Sequence, residues 1–144
     1  FNWPNRIKVN GAYCGSTFYQ ASTKLEDEVP EWLVLGISIP FLWNKSIESG
    51  NKPSETVLSE EGCSVLTPNS LLESWSRHTL VWMNRFLDDG LLPIHNAWCE
   101  KCEDIGKKIN YPVEGDFIGL DENGNMLLKK IKKTVVEKLI NYMD

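Results

Sequence analysis

Few stretches of the chain combine residue types and spacings that could do chemistry. Cys99-Glu100-Lys101-Cys102, preceded by Trp98, has the spacing of a redox dithiol. Such a dithiol opens a helix, because the helix N-terminus stabilises the first thiolate. Here residues 93–98 already read as the first turns of a helix, which puts Cys99 inside it. The expectation is two ordinary helix residues, with redox and zinc readings left open. Zinc would need two further ligands. Cys63, His78 and His95 are the candidates, and none stands at a recognised spacing. His78 sits beside a helical apolar stripe and reads as structural, while His95 falls in a first turn and reads as exposed. A Gly-x-Ser-x-Gly elbow, a Walker loop and a His-Glu-x-x-His pair are all missing from the sequence. Asp121-Glu122-Asn123-Gly124 is too short for a calcium loop and fits a hairpin turn. No metal site is expected.

A different chemistry is suggested at the N-terminal end. Trp3-Pro4-Asn5 is a rigid corner, since Pro4 fixes its own φ and biases Trp3 away from helix. An Asn at the mouth of a strand can aim its amide at a ligand. Asn10-Gly11 follows, the strongest short hairpin signal in the chain, because a type I′ turn needs positive φ at both central residues. The bland reading of this stretch is a surface hairpin. The sharper one is a ligand site at its base.

The elements that must position these residues are legible in outline. Residues 6–9 and 12–21 read as an antiparallel hairpin, with Gly15 marking a bulge or a close approach by a ligand. Residues 22–30 are charged and read as a loop. Residues 31–39 are almost continuously apolar, which predicts a central strand buried on both faces, ended by Pro40. Residues 44–56 read as a mobile loop. Thr67-Pro68 is a helix start, and Leu72, Trp75, Thr79, Trp82, Met83 and Phe86 give the helix a buried stripe before Gly90 stops it. A second helix is predicted from Pro93, with Ile94, Ala97, Trp98, Cys102 and Ile105 buried and Gly106 at its end. The two helices are expected to pack on one face of the sheet. Residues 116–120 and 125–130 predict a second hairpin, and residues 134–143 fit either one or two helical turns or a last strand.

Four segments, in this order, resemble the biotin and lipoate protein ligase family. Trp3-Pro4-Asn5-Arg6 is similar to the family's Trp-Pro-Asn-Asp motif, which opens a strand ending in an Asp-Gly or Asn-Gly turn. Val34-Leu35-Gly36-Ile37-Ser38-Ile39 is similar to its Gly-Ile-Gly-Ile-Asn strand. Thr56-Val57-Leu58-Ser59-Glu60-Glu61-Gly62 is similar to the segment that follows, and Phe117-Ile118-Gly119-Leu120-Asp121-Glu122-Asn123-Gly124 to the small C-terminal domain. The resemblance implies an α+β fold: a mainly antiparallel sheet packed by two helices, as in part of the class II synthetase and biotin ligase-like fold. Residues 1–110 would be a partial catalytic domain and residues 111–144 a small β-rich C-terminal one. The start at Phe1 reads as a truncated or excised domain.

The same resemblance implies an activity: biotin or lipoate is joined to ATP, with magnesium, as an acyl-adenylate, and the acyl group passes to a lysine of an acceptor protein. Position by position it implies a ligand site at Trp3, Pro4, Asn5, Arg6, Gly11, Gly15 and Gly36. Three departures matter. Arg6 stands where the motif has Asp, Tyr13 stands where the family's lysine aligns, and Pro40 replaces the Asn. The family's Gly- and Arg-rich ligand loop lies upstream of the Trp-Pro-Asn motif. A binding module that has lost the catalytic lysine is therefore the alternative to an active ligase.

Composition bounds the rest. At 144 residues the chain is one domain, with or without a small appendage. A formal charge of −5 and the lack of a long basic run speak against a nucleic-acid partner. No apolar run approaches the ~18 residues of a membrane span. Six Trp suggest aromatic packing around an apolar pocket. Cys14, Cys63, Cys99 and Cys102 are too sparse for a disulfide scaffold, and a reducing, cytoplasmic setting is expected.

Overall fold

The computed structural model describes residues 1–23, 25, 28–43, 54–111, 113–130 and 133–138. The chain forms two compact units. One comprises Asn5–Ser64, and the other Phe1–Pro4 together with the described residues from Val65 onward. The architecture is α+β with antiparallel sheets.

In the first unit, β1 (Arg6–Val9), β2 (Ala12–Ala21) and β3 (Leu33–Ser38) form a sheet in that order. The β1–β2 turn is made by Asn10 and Gly11, both at positive φ, as the Asn-Gly pair predicts. The ladder slips between Ile7 and Lys8, which face Gly15 and Tyr13, so Cys14 is the extra residue of a bulge. β2 and β3 pair regularly from Ser16↔Ser38 to Ala21↔Leu33.

β3 corrects the expectation of a central strand buried on both faces. It is two residues shorter at its start and lies at the sheet edge, with Leu33, Val34 and Leu35 45%, 51% and 38% exposed. The apolar run records the burial that this strand is built for, and within the described residues nothing supplies it. The expected loop at 44–56 lies outside the described residues except for its last three.

In the second unit, α1 (Pro68–Asp89) begins as predicted. The Thr67 side chain accepts from the Ser70 amide at 3.1 Å, and the Ser70 hydroxyl accepts from the Thr67 amide at 3.1 Å. Gly90 caps the other end, its N–H donating to the Phe86 carbonyl at 2.9 Å. The stripe on α1 is not buried, however: no α1 residue is, and Leu72, Met83 and Phe86 are exposed. α2 (Leu92–Lys101) ends five residues before Gly106, with Cys102 as its cap.

A four-stranded antiparallel sheet follows, ordered β4 (Lys108–Ile109), β5 (Gly115–Leu120), β6 (Met126–Lys130) and β7 (Lys133–Glu137). The β5–β6 hairpin was expected, whereas β4 has too few residues to show a pattern. The ambiguous tail resolves as strand over β7, and residues 139–144 lie outside the described ones. α1 packs on α2, and α2 packs on β5 of this sheet. The core is Trp3, Phe117, Met126 and Leu128, with Trp98, Cys102, Ile105 and Ile109 packed against it. Burying an aliphatic or aromatic side chain of this kind contributes about 1.5–3 kcal/mol.

Candidate functional site

The β1–β2 bulge shapes a cleft. On one side of Tyr13 runs β1. On the other, residues 54–56 pair with it: the Tyr13 N–H donates to the Ser54 carbonyl at 2.9 Å, and the Thr56 N–H donates to the Tyr13 carbonyl at 2.8 Å. The segment is held from behind by Leu58 and Ser59, whose amides donate to the carbonyls of Pro40 and Phe41 at 3.0 and 3.1 Å. Val57 and Leu58 are buried beneath it. The Glu61 carboxylate accepts from the Asn10 side-chain amide and from the Thr56 hydroxyl, tying the hairpin turn to this wall.

The resulting cavity measures about 530 Å³. That is within the range of small-molecule pockets, roughly 300–1,000 Å³. Arg6 and Glu55 are the charged residues of its described lining, Ser16, Ser38, Ser54 and Thr56 bring hydroxyls, and Leu42, Trp43 and Val57 bring apolar surface. The Arg6 guanidinium stacks 4.4 Å from the centre of the Tyr13 ring, and the Lys8 ammonium lies 5.1 Å from the same ring. Two cations therefore lie against one ring. The Trp43 indole nitrogen is buried and has no hydrogen-bond partner among the described residues.

Gly15 lies against β3. Its φ is +143°, and a Cβ there would run into the Ser38 carbonyl oxygen. Beside it Cys14 is fully buried, and burial, then the nearby Glu61 and Cys63, push its thiol pKa up. A protonated, inaccessible thiol of this kind is packing, not a nucleophile.

Of the residues named from the motif, Arg6 and Gly15 line the cleft, with Tyr13 between them. Asn5 spends its side-chain amide on the Thr17 carbonyl at 2.9 Å. Gly11 forms the turn, and Gly36 gives room to the Phe18 ring, which a Cβ there would strike. Trp3 belongs to the other unit's core, its indole N–H donating to the Gly124 carbonyl at 3.3 Å, and Pro4 is half-buried in that unit. The hydroxyl residues and Trp43 were not singled out from sequence. Thr56 and Pro40 lay inside noted segments, but the pairing of Tyr13 with residues 54–56 has no local pattern to betray it.

The dithiol sits away from any helix start. Cys99 is in the last turn of α2 and Cys102 caps it, where the helix dipole opposes a thiolate. Both thiols are shifted up, Cys99 by burial and then by Cys102, and Cys102 chiefly by burial. All four cysteines are free. His78 is exposed and places Nδ1 2.7 Å from the Ser74 carbonyl of its own helix. His95 is half-buried, not exposed as expected, and its field helps to lower the Asp121 pKa.

Residues 1–100 match the model of the biotin/lipoate A/B protein ligase family. The chain belongs to that family. A biotin protein ligase-like protein of unknown function from a Silicibacter species is 34% identical, with a TM-score of 0.87 over 100% of this chain and 62% of that one. A biotin protein ligase variant from Aquifex aeolicus in complex with biotin gives 0.74 at 17% identity, over 95% of this chain and 57% of that one. The Aquifex ligase in complex with biotin and ATP gives 0.66 at 19% identity, over 96% and 58%. The Aquifex structures share the fold. The chain thus spans about three-fifths of these ligase-family proteins. No curated protein matches it in sequence.

Among the described residues no group of three His, Cys, Asp or Glu side chains is placed to hold a metal ion. Glu55 is the one carboxylate of the described lining. No described helix is long and apolar enough to cross a membrane.

Proposed function

We propose that the cleft of the first unit binds a small carboxylated acyl ligand of the biotin or lipoate class, with Arg6 as the cation that meets its carboxylate or a phosphate. The observation that carries this reading is the stacking of Arg6 on Tyr13 at the edge of a cavity of suitable size. A guanidinium held against a ring has lost part of its freedom before a ligand arrives, which lowers the cost of binding an anion. The serine hydroxyls supply further donors, and Leu42, Trp43 and Val57 suit an acyl chain. The buried Trp43 N–H, unpartnered among the described residues, adds support, because an unsatisfied donor costs about 1–3 kcal/mol and a ligand acceptor reaching it would remove that cost.

In the full ligase reading, ATP and the acyl ligand join as an adenylate that an acceptor-protein lysine attacks. Support comes from the family and from the Aquifex ligase seen with biotin and ATP. The second reading, a binding relative that does not activate its ligand, is supported by the resemblance itself, which sets Tyr13 where the family has a lysine: a phenol brings no positive charge to two repelling anions. Four free thiols fit a reducing, cytoplasmic setting.

Titration calorimetry with biotin, lipoate and their adenylates tests the proposal. Saturable binding that weakens about tenfold or more in Arg6→Gln, the loss expected for a hydrogen bond to a charged group, is the expected result. Binding of none of these ligands, or binding indifferent to Arg6, refutes it.

A further inference from the structure

Thr56 lines the cleft, is 5% exposed, and has both of its polar protons committed. Its N–H donates to the Tyr13 carbonyl at 2.8 Å, and its hydroxyl donates to the Glu61 carboxylate. A carboxylate accepts and does not donate, so the direction of the second bond is fixed. The Thr56 hydroxyl oxygen keeps its lone pairs and offers the cleft an acceptor only. Glu61 is held in place to enforce this. Its other carboxylate oxygen accepts from the Asn10 side-chain amide, and its backbone N–H donates to the Leu58 carbonyl at 3.2 Å. Its charge is also felt at Cys14, whose raised pKa it adds to after burial. Glu55 puts a carboxylate in the same wall of the cleft, while the positive charge of the described lining, Arg6, comes from β1. Ser16, Ser38 and Ser54 decide nothing here, because a hydroxyl that can rotate donates or accepts as its ligand requires.

We propose that Glu61 is a positioning residue that makes Thr56 an obligate acceptor, so that the cleft selects anionic ligands carrying an N–H donor. The inference rests on the cleft being the acyl-ligand site. An anion alone satisfies Arg6, but it leaves the buried Thr56 oxygen without a donor from the ligand and lies in the field of two carboxylates. An anion joined to an N–H donor satisfies both walls. Biotin brings a carboxylate and the N–H groups of its ureido ring. Lipoate, whose ring holds two sulfurs, brings a carboxylate alone. The exocyclic amine of an adenylate is the other source of the same donor. A site built to hydrogen-bond a group rejects the analogue that lacks it, whereas an apolar lining such as Leu42, Trp43 and Val57 separates similar ligands weakly.

Calorimetry on two pairs of probes tests this: biotin against lipoate, and AMP against purine riboside 5′-monophosphate, which lacks the amine. In at least one pair the donor-bearing ligand should bind about tenfold or more tightly than its counterpart, and the pair that shows the preference identifies the source of the donor. Thr56→Val keeps the shape and removes the oxygen, and it should bring that ratio to within about twofold of unity. Thr56→Ser should keep the preference. Glu61→Ala gives an independent reading: it frees the Thr56 proton to turn toward the ligand and should reduce the ratio about threefold or more. A merely structural role for Thr56 or Glu61 would weaken both members of a pair alike, and a ratio unchanged in either Thr56→Val or Glu61→Ala overturns the proposal. Arg6-dependent binding with no preference in either pair also overturns it, and leaves the cleft reading standing. Binding of none of the probes, or binding indifferent to Arg6, refutes the cleft reading and this inference with it.

Discussion

Arg6 lies 4.4 Å above the ring of Tyr13, so the guanidinium of the cleft is stacked on the aromatic residue beside it. An exposed cation–π contact contributes about 0.5–1 kcal/mol. That is small for stability but enough to set where a guanidinium points. Tyr13→Phe keeps the ring and should leave acyl-ligand affinity within about twofold, whereas Tyr13→Ala should weaken it by about two- to fivefold, in line with the loss of that contact. Calorimetry on the two variants separates the ring from the hydroxyl. An equal loss in both would assign the effect to the phenol.

Gly15 is the point where the bulge meets β3. At φ +143° it uses backbone that side chains avoid, and a Cβ would collide with the Ser38 carbonyl, which is backbone and cannot rotate away. Gly15→Ala should destabilise the first unit by about 2–4 kcal/mol, the range of backbone strain combined with a clash. Urea unfolding measures this. A loss below about 0.5 kcal/mol, the level of an ordinary surface substitution, would show that the contact relaxes freely.

These two sites show what the sequence made legible. The β1–β2 hairpin follows from Asn10-Gly11, and the ends of α1 from Thr67-Pro68 and Gly90, because turns and caps depend on neighbouring residues. The β5–β6 hairpin is legible for the same reason. Burial was not legible in the same way. The apolar pattern of β3 and α1 reports what these elements are made to contact, and those contacts are missing from the described residues. The far wall of the cleft escaped because Tyr13 meets residues 54–56 through backbone bonds that carry no side-chain signature. Trp3 was read with the ligand site because the motif places it there. Its packing on Phe117, Met126 and Leu128 depends on residues more than a hundred positions away.

Asp121 anchors the β5–β6 turn. One carboxylate oxygen accepts from the backbone amides of Asn123 and Asn125 at 2.9 and 2.8 Å, and the other from the Asn125 side chain at 2.9 Å. Partial burial raises its pKa, but these hydrogen bonds, with His95, outweigh that and leave it lowered. A carboxylate with a lowered folded pKa contributes stability above its unfolded pKa and loses it as pH falls through the folded value. Asp121→Asn should therefore cost about 1 kcal/mol at neutral pH and progressively less on acidification below the usual carboxylate range. Thermal melts of both proteins from neutral to acidic pH check this. A gap that does not narrow at low pH would remove the ionic contribution.

Cys99 and Cys102 give a chemical test. With both thiols shifted up, the reactive thiolate is scarcer at neutral pH than in free cysteine. Alkylation of either should be slower than that of free cysteine at neutral pH and accelerate as pH rises past the ordinary thiol range. Mass spectrometry of peptides after timed iodoacetamide treatment gives both rates. Fast labelling of Cys99 at neutral pH, or a stable Cys99–Cys102 bridge under reducing conditions, would restore the redox reading.

Adenylation sets the hardest requirement. A carboxylate must approach a phosphate, and two anions repel strongly where water is excluded. The resembled family offsets this with a lysine and a covering Gly- and Arg-rich loop upstream of the Trp-Pro-Asn motif. Here Tyr13 can offer a neutral hydrogen bond, and the Arg6 charge is directed by stacking on the ring instead of extending from the lysine's own position. Loss of one preorganised donor already costs about 10²–10³ in rate, and loss of a charge should cost at least as much. The 144-residue chain is therefore expected to form no biotinyl- or lipoyl-adenylate at a useful rate. Pyrophosphate exchange dependent on biotin or lipoate measures this directly, and exchange on the order of 1 s⁻¹, an ordinary enzyme rate, would refute it. Tyr13→Lys tests the charge directly: a rise from a negligible rate assigns the limit to the absence of a cation at this position.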